Sequence, residues 1–234
     1  MSIINQISSF FSLVRHGQCG TALGEIGRRL YSDHVAFGLS HDLSQRTAMP
    51  EARIRISVRP LQASDIPQLF DESEVENGET LRHQIRRLRH IKADIPTCYV
   101  AVDVDGAPCY TQWLMGSKEN NRIRQFFSGE YPQLENDEML LENAYTPEAY
   151  RGRRIMPCAM WQISEKAANH GARRVITFVG EENIASLKGC ERAGFAPYLV
   201  RHDKWRFFRR TITFEPYASD PPYPLDFEPT LKPA

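Results

Sequence analysis

The segment Val175-Ile176-Thr177-Phe178-Val179 constrains this chain more than any other. An unbroken apolar run of that length is typical of a central strand covered on both faces, the arrangement found where helices flank a sheet. Helical patterns stand on either side of it. One covers about residues 156–170 and is closed by Gly171, a residue suited to a helix C-terminus. The other runs over about residues 184–193 and stops at Gly194-Phe195.

The alternation of strands and helices extends in both directions. Ile54-Arg55-Ile56-Ser57-Val58 alternates with period two, as a half-buried strand does. Ser64-Asp65-Ile66-Pro67 has the form of a helix start with Ser64 as N-cap. Residues 99–104 lead into Asp105-Gly106, a strong hairpin signal, and a second strand follows over 110–115. Residues 139–145 form a further strand. Residues 198–201 and 205–214 read as a hairpin turning at His202-Asp203-Lys204. The expectation is a mixed α/β domain over residues 54–215.

Residues 1–53 are expected to be an N-terminal extension. Ile3, Ile4, Ile7, Phe10, Phe11 and Val14 make one helical stripe, opposed by uncharged Ser2, Asn5, Gln6, Ser8, Ser9 and Ser12. A membrane-surface helix normally carries Lys or Arg there. The stripe is therefore expected to dock on this protein's own core or on a second subunit, giving a homodimer, with no membrane partner. A short helical piece (23–30), an edge strand near 34–39 and an aperiodic linker (41–53) follow. Residues 216–234, with six prolines, read as an extended tail.

Composition removes several functions. The 29 Lys+Arg are matched by 29 Asp+Glu, so the cationic excess of a generic nucleic-acid binder is missing and no nucleic-acid partner is expected. The five cysteines form no C-x-x-C pair, which excludes a zinc knuckle and argues against a disulfide framework. Metal-ligand spacing is absent, so no metal site is expected. No apolar stretch approaches the roughly 18 residues needed to cross a bilayer. With no secretory pattern at the N-terminus, the expected location is cytoplasmic. Charge is instead local. Residues 71–79 carry five acids, and Arg82, His83, Arg86, Arg87, Arg89, His90 and Lys92 surround an apolar helix stripe at Leu81, Ile85, Leu88 and Ile91 as a solvated face.

The chemistry concentrates in Thr146-Pro147-Glu148-Ala149-Tyr150-Arg151-Gly152-Arg153-Arg154-Ile155-Met156, between a strand and a helix. Backbone N–H groups of such a loop and of the first helical turn converge at a positive dipole end, which suits a phosphate or pyrophosphate. Gly152 allows close backbone approach, and Arg151, Arg153 and Arg154 add charge. About thirty residues later, after the buried strand, comes Asn183-Ile184-Ala185-Ser186 and then Gly194-Phe195.

The combination, order and spacing of these two motifs resemble the GNAT superfamily of acyl-CoA-dependent N-acetyltransferases over residues 54–215. The resemblance implies an α/β fold with a mixed, splayed central β-sheet flanked by helices. It implies acetyl-CoA as acyl donor, its pyrophosphate on the backbone of Arg151, Gly152, Arg153, Arg154, Ile155 and Met156. The pantetheine arm would lie in the splay and bond main-chain groups at Ala144, Tyr145 and Thr146, with Asn183 and Ser186 beside it. Glu142 takes the place of the base that deprotonates an amine acceptor. Cys190 stands seven residues after Asn183, where many members carry a tyrosine as general acid. Two further departures are Arg154 for the family's second loop glycine, which helical φ/ψ would accommodate, and Ala149 for a Gln or Arg. Tyr198 is a spare proton donor. The acceptor itself is not specified, although the basic helix and the acidic loop at Glu130–Glu138 could flank its entrance. The competing readings are a catalytically silent coenzyme- or partner-binding module and an O- or carrier-directed acyltransferase.

Overall fold

A computed structural model describes residues 19–45, 47–70, 88–93, 95, 97–219 and 221–225. The stripe at 3–14, the acidic run at 71–79, most of the basic helix and the end of the tail lie outside the described residues. The strands are β1 (Tyr31–Asp42), β2 (Ser57–Pro60), β3 (Cys98–Val102), β4 (Pro108–Gly116), β5 (Glu138–Tyr145), β6 (Arg174–Gly180), β7 (Ala196–Arg206) and β8 (Arg209–Pro216). They form one sheet in the order β2-β3-β4-β5-β6-β1-β7-β8. Helices α1 (Cys19–Leu30), α2 (Ile66–Leu69), α3 (Asn120–Phe127), α4 (Ile155–Asn169) and α5 (Ile184–Arg192) connect them, with a further helical stretch at 88–92.

The apolar run is β6, buried inside the sheet as its composition requires. Alternation of side chains along each strand divides the core in two. Phe37, Leu39, Ala101, Leu114, Leu141, Val175 and Val179 pack against Ile155, Ala159, Met160 and Ile163 of α4 and Leu187 of α5. On the other face Val100, Val102, Trp113, Met115, Leu140 and Ile176 meet Leu69, Phe70, Ile123, Phe127 and Tyr131.

β5 and β6 run parallel, and they separate early. Their pairing covers Glu138↔Arg174, Met139↔Val175 and Leu140↔Ile176, after which both strands continue unpaired with each other to Tyr145 and Gly180. This is the expected splay. A bulge on β5 accompanies it: Thr111 and Trp113 of β4 face Tyr145 and Glu142, so β5 spends an extra residue there, and Asn143 has φ +59°. Asparagine tolerates that left-handed conformation better than most residues, and the bulge turns the strand end away from β6.

Several expectations are corrected. The segment near 34–39 is no edge strand. β1 lies between β6 and β7 and pairs antiparallel with both, with Ala36, Phe37, Gly38 and Leu39 all buried. Gly38 is required by that crowding, because a Cβ there would sit 2.9 Å from Phe178 Cε1 and 3.0 Å from Leu199 Cβ. The following stretch is more than a linker: Thr47 Oγ1 accepts the Trp161 indole N–H (3.0 Å) and lies 3.3 Å from His41 Nε2. β2 begins only at Ser57, although Ile54 and Ile56 still pack on the core. The turn that starts α2 is fixed by Asp65, whose carboxylate accepts the Gln62 N–H (2.8 Å), in place of Ser64. The last hairpin turns at Phe207-Phe208 instead of His202-Asp203-Lys204, since Asp203 is buried and taken by Arg210 at 2.9 and 2.5 Å. His90, expected on a solvated face, is fully buried with its ring 5.0 Å from that of Trp113.

Candidate functional site

The loop from Thr146 to Arg154 leaves the splayed end of β5 and enters α4. A single turn at Glu148–Tyr150 shapes it, with the Tyr150 and Arg151 N–H groups closing on the Pro147 and Glu148 carbonyls. Two side chains fasten it. The Tyr150 hydroxyl donates to Asp103 Oδ2 (2.7 Å) in the β3–β4 turn, which pushes the phenol up to about 12 and holds Asp103 below its usual range. Arg151 Nε donates to the Thr146 carbonyl (3.4 Å). The segment before β2 contributes as well, for the Arg53 N–H bonds the Arg153 carbonyl (2.8 Å).

Beyond these ties the loop offers donors. Among the described residues the N–H groups of Gly152, Arg153 and Arg154 reach no main-chain carbonyl, and no side chain caps α4. The first turn of α4 holds no acid, and its leading N–H groups at Ile155 and Met156 have no partner within a helix by construction. Pro157 at the third position has no N–H to offer. Gly152 has φ +75° with open space where a Cβ would stand, so the backbone there is approachable. Arg151, Arg153 and Arg154 are all exposed around it, as is Arg53, which the sequence did not single out. Only its pairing to Arg153, a contact across a hundred residues, reveals it.

Arg154 departs from expectation. It adopts φ +56°, ψ +29°, the left-handed region, and not the helical conformation. It therefore occupies a glycine conformation with a side chain, at a cost of about 1–2 kcal/mol.

The second motif faces the loop across the splay. Asn183 is the N-cap of α5, its Oδ1 accepting the Ser186 N–H (3.1 Å). Ala144, Tyr145 and Thr146 line the diverging end of β5, with Ala144 exposed. Glu142 lies at the root of the splay and is 7% exposed. It pairs with Trp113, so it faces the side of the sheet away from α4. His90 belongs to the same corner, with Nδ1 3.4 Å from the Asn143 amide at the bulge. The helix position of His90 gave no signal for this; the tertiary packing of residues 88–92 over Trp113 creates it.

Two expected participants lie elsewhere. Cys190 is 0% exposed inside the α4–α5 core, and burial pushes its thiol up to about 12. It is sealed from solvent. Tyr198 lies beneath Arg174 (5.1 Å), beside the closed end where β5 and β6 begin to pair, and burial raises its phenol. The acidic loop reaches both ends of the splay: Glu138 is ion-paired with Arg174 at the closed end, whereas Glu130 accepts from Arg210 (3.0 Å) and its carbonyl from Arg201 (2.9 Å), level with Gly180 at the open end.

The sheet has solved counterparts. It is similar to a GCN5-related glucosamine N-acetyltransferase region of a fungal multi-domain GH3 β-N-acetylglucosaminidase (TM-score 0.53, 15% identity, 80% of this chain and 22% of that one). The chain has the GNAT fold. Further GNAT structures resemble it more loosely. A GCN5-related N-acetyltransferase from Sphaerobacter thermophilus gives TM-score 0.48 and 17% identity over 80% of this chain, and a tandem GNAT protein from the clavulanic acid biosynthesis pathway gives 0.48 and 13% over 84%. The chain spans 57% of the length of each of these two. No family model matches the sequence, and no curated protein matches it.

Proposed function

We propose that this protein transfers an acetyl or other acyl group from acyl-coenzyme A to an amine. The observation that carries the reading is the pairing of a splayed parallel strand pair with an uncapped helix N-terminus and three exposed arginines at its open end. A pyrophosphate fits the donors of Gly152 to Met156, where backbone N–H groups and a helix dipole meet. A pantetheine arm fits the strand edge at Ala144–Thr146 that the bulge turns away from β6.

The acceptor approaches from the face that holds Glu142. The amine nitrogen attacks the thioester carbonyl carbon, the C–S bond breaks, and Glu142 takes the proton the nitrogen sheds, directly or through one water. The departing thiolate is protonated from solvent. Its own pKa near 8.5 makes a strong internal acid unnecessary, and the sealed Cys190 is a poor donor to it. Within this reading Arg53 joins Arg151, Arg153 and Arg154 as a cation for the coenzyme's phosphates.

Thermal-shift titration with acetyl-CoA tests the proposal, because a ligand that binds only the native state raises the melting temperature. Stabilisation that is also given by desulfo-CoA and lost in Gly152→Ala is expected. No stabilisation at millimolar coenzyme would sink the reading. Release of free thiol with a panel of amines then separates a transferase from a silent binding module.

A further inference from the structure

The β7–β8 hairpin breaks a local rule at its tip. Arg206 and Arg209 pair across a two-residue turn, Phe207-Phe208, with φ +49° and +64°. Two positive φ values mark the type I′ geometry, for which Asn-Gly is the favoured pair and bulky side chains are unfavourable at both positions. The turn is held by α1, whose last carbonyls at Arg29 and Leu30 accept the Phe208 and Phe207 N–H groups (2.8 Å each). That explains how the strained turn persists. It does not explain two phenylalanines, since backbone bonds would serve any residue.

Neither ring is used in folding. Phe207 is 81% exposed and Phe208 56%, and beside them stand Tyr31 at 68% and Leu30 at 42%. Single exposed apolar residues are ordinary, but four clustered at one protruding tip mark a contact surface. The collar around them is cationic. Arg28, Arg29, Lys204, Arg206 and Arg209 stand there, and among the described side chains Asp33 beside them is bound by Arg206 (2.9 and 2.8 Å). Arg206 also lies over the Tyr31 ring (3.9 Å) and Arg29 over Trp205 (5.7 Å), so the arginine stems wrap the aromatic base.

The tip is also convex and far out. β1 and β6 stop pairing at Ala36↔Gly180, whereas β1 and β7 continue for five residues to Tyr31↔Arg206, which carries the tip about 17 Å past the end of β6. It leaves the sheet at the end where β5 and β6 diverge and the arginine loop enters α4. A protein partner would need a matching pocket for such an apex, whereas the headgroup layer of a bilayer closes round it without one. Aromatic rings at the apex and cations behind it match the two layers of an anionic leaflet in order.

We propose that the β7–β8 hairpin tip, with Leu30 and Tyr31, docks on an anionic phospholipid surface and holds the open end of the sheet toward it. This inference does not rest on the acyl-transfer reading. It differs from the expectation of no membrane partner, which came from the uncharged face of the stripe at 3–14, because the collar is assembled from residues 28–31 and 204–209.

Co-sedimentation of the full chain with vesicles of phosphatidylcholine, with and without phosphatidylserine, tests it. The wild type should sediment with the phosphatidylserine vesicles, and less as salt is raised. The decisive variant is Phe207→Asn with Phe208→Gly, which supplies the residues the turn prefers and so melts at or above the wild-type temperature. Its vesicle binding should fall at least tenfold. Arg209→Glu should weaken binding to phosphatidylserine vesicles and leave folding intact. Absence of wild-type binding, or equal binding by the turn variant, overturns the proposal. So does a wild-type dimer that the turn variant converts to monomer without any vesicle binding, or capture by polyglutamate with none by vesicles; these assign the tip to a second copy or to an acidic protein.

Discussion

Replacing Arg154 with glycine tests whether the arginine loop carries strain for the sake of charge. The residue sits at φ +56°, ψ +29° as the N-cap of α4, with no side-chain capping bond. A side chain in that region costs about 1–2 kcal/mol, which glycine would not incur. Glycine loses about 0.4–1 kcal/mol through the greater freedom of the unfolded chain. The balance is a net stabilisation of about 0.5–1 kcal/mol, or roughly 1–4 °C in melting temperature for a domain of this size. The exposed guanidinium contributes no more than about 1 kcal/mol to an anion contact, so the Kd for coenzyme A should rise up to about fivefold. Arg154→Ala keeps the left-handed cost and loses the same charge, so it should match the wild type in stability and the glycine variant in affinity. Urea unfolding without ligand and calorimetric titration of coenzyme A measure the two quantities separately. If Arg154→Gly destabilises the ligand-free protein by more than about 0.5 kcal/mol, the assignment of strain at this position is wrong.

Four further outcomes are expected. Glu142→Gln should lower the rate of thiol release about 10²-fold or more while leaving coenzyme affinity within a factor of two, and an unchanged rate would remove Glu142 as the base. Cys190→Ala should cost about 1–2 kcal/mol from the emptied core position and leave the pH profile of turnover unchanged; a lost basic limb would restore the thiol as an acid. Gly38→Ala should destabilise by about 1–3 kcal/mol, because its Cβ would meet Phe178 and Leu199 at 2.9 and 3.0 Å, and a neutral result in urea unfolding would contradict the interior placement of β1. His41 is buried, and burial lowers its pKa from the ordinary 6.5 against a smaller opposing pull from Asp42. Below that value the unfolded chain takes up a proton that the folded ring resists, so stability falls as pH drops below 6.5 and is unaffected above it. Melting temperatures at pH 5 and 7.5 should therefore differ less in His41→Leu than in the wild type; equal differences would remove His41 from the acid response.

The elements around the candidate site were legible because their signals are local. The arginine loop and the Gly171 stop each involve residues a few positions apart, and structure of that range follows from residue type and spacing; the cap that Asn183 makes on α5 is seen only in the structure. The misplaced turn shows the limit of such signals. His202-Asp203-Lys204 has turn chemistry, yet Asp203 is held inside a strand by Arg210, which is itself set by cross-strand register and the reach of Glu130. His90 likewise has the sequence context of a solvated helix and ends at the corner of Glu142, because burial there depends on Trp113 and Phe127.

The sequence by itself determined the parallel β5–α4–β6 unit, since one continuous apolar run, two capped helices and a phosphate-type loop admit few other arrangements. Three matters were decided only by tertiary structure. β1 entered the sheet beside β6 because Gly38 admits Phe178 and Leu199 at a distance no side chain permits. The closed end of the splay was tied by Glu138 and Arg174, which lie thirty-six positions apart. The aromatic tip and its cationic collar came together because α1 and the β7–β8 turn bond across more than 170 residues. Contacts over such separations are selected by the packing of the whole sheet, and no window of sequence contains both partners.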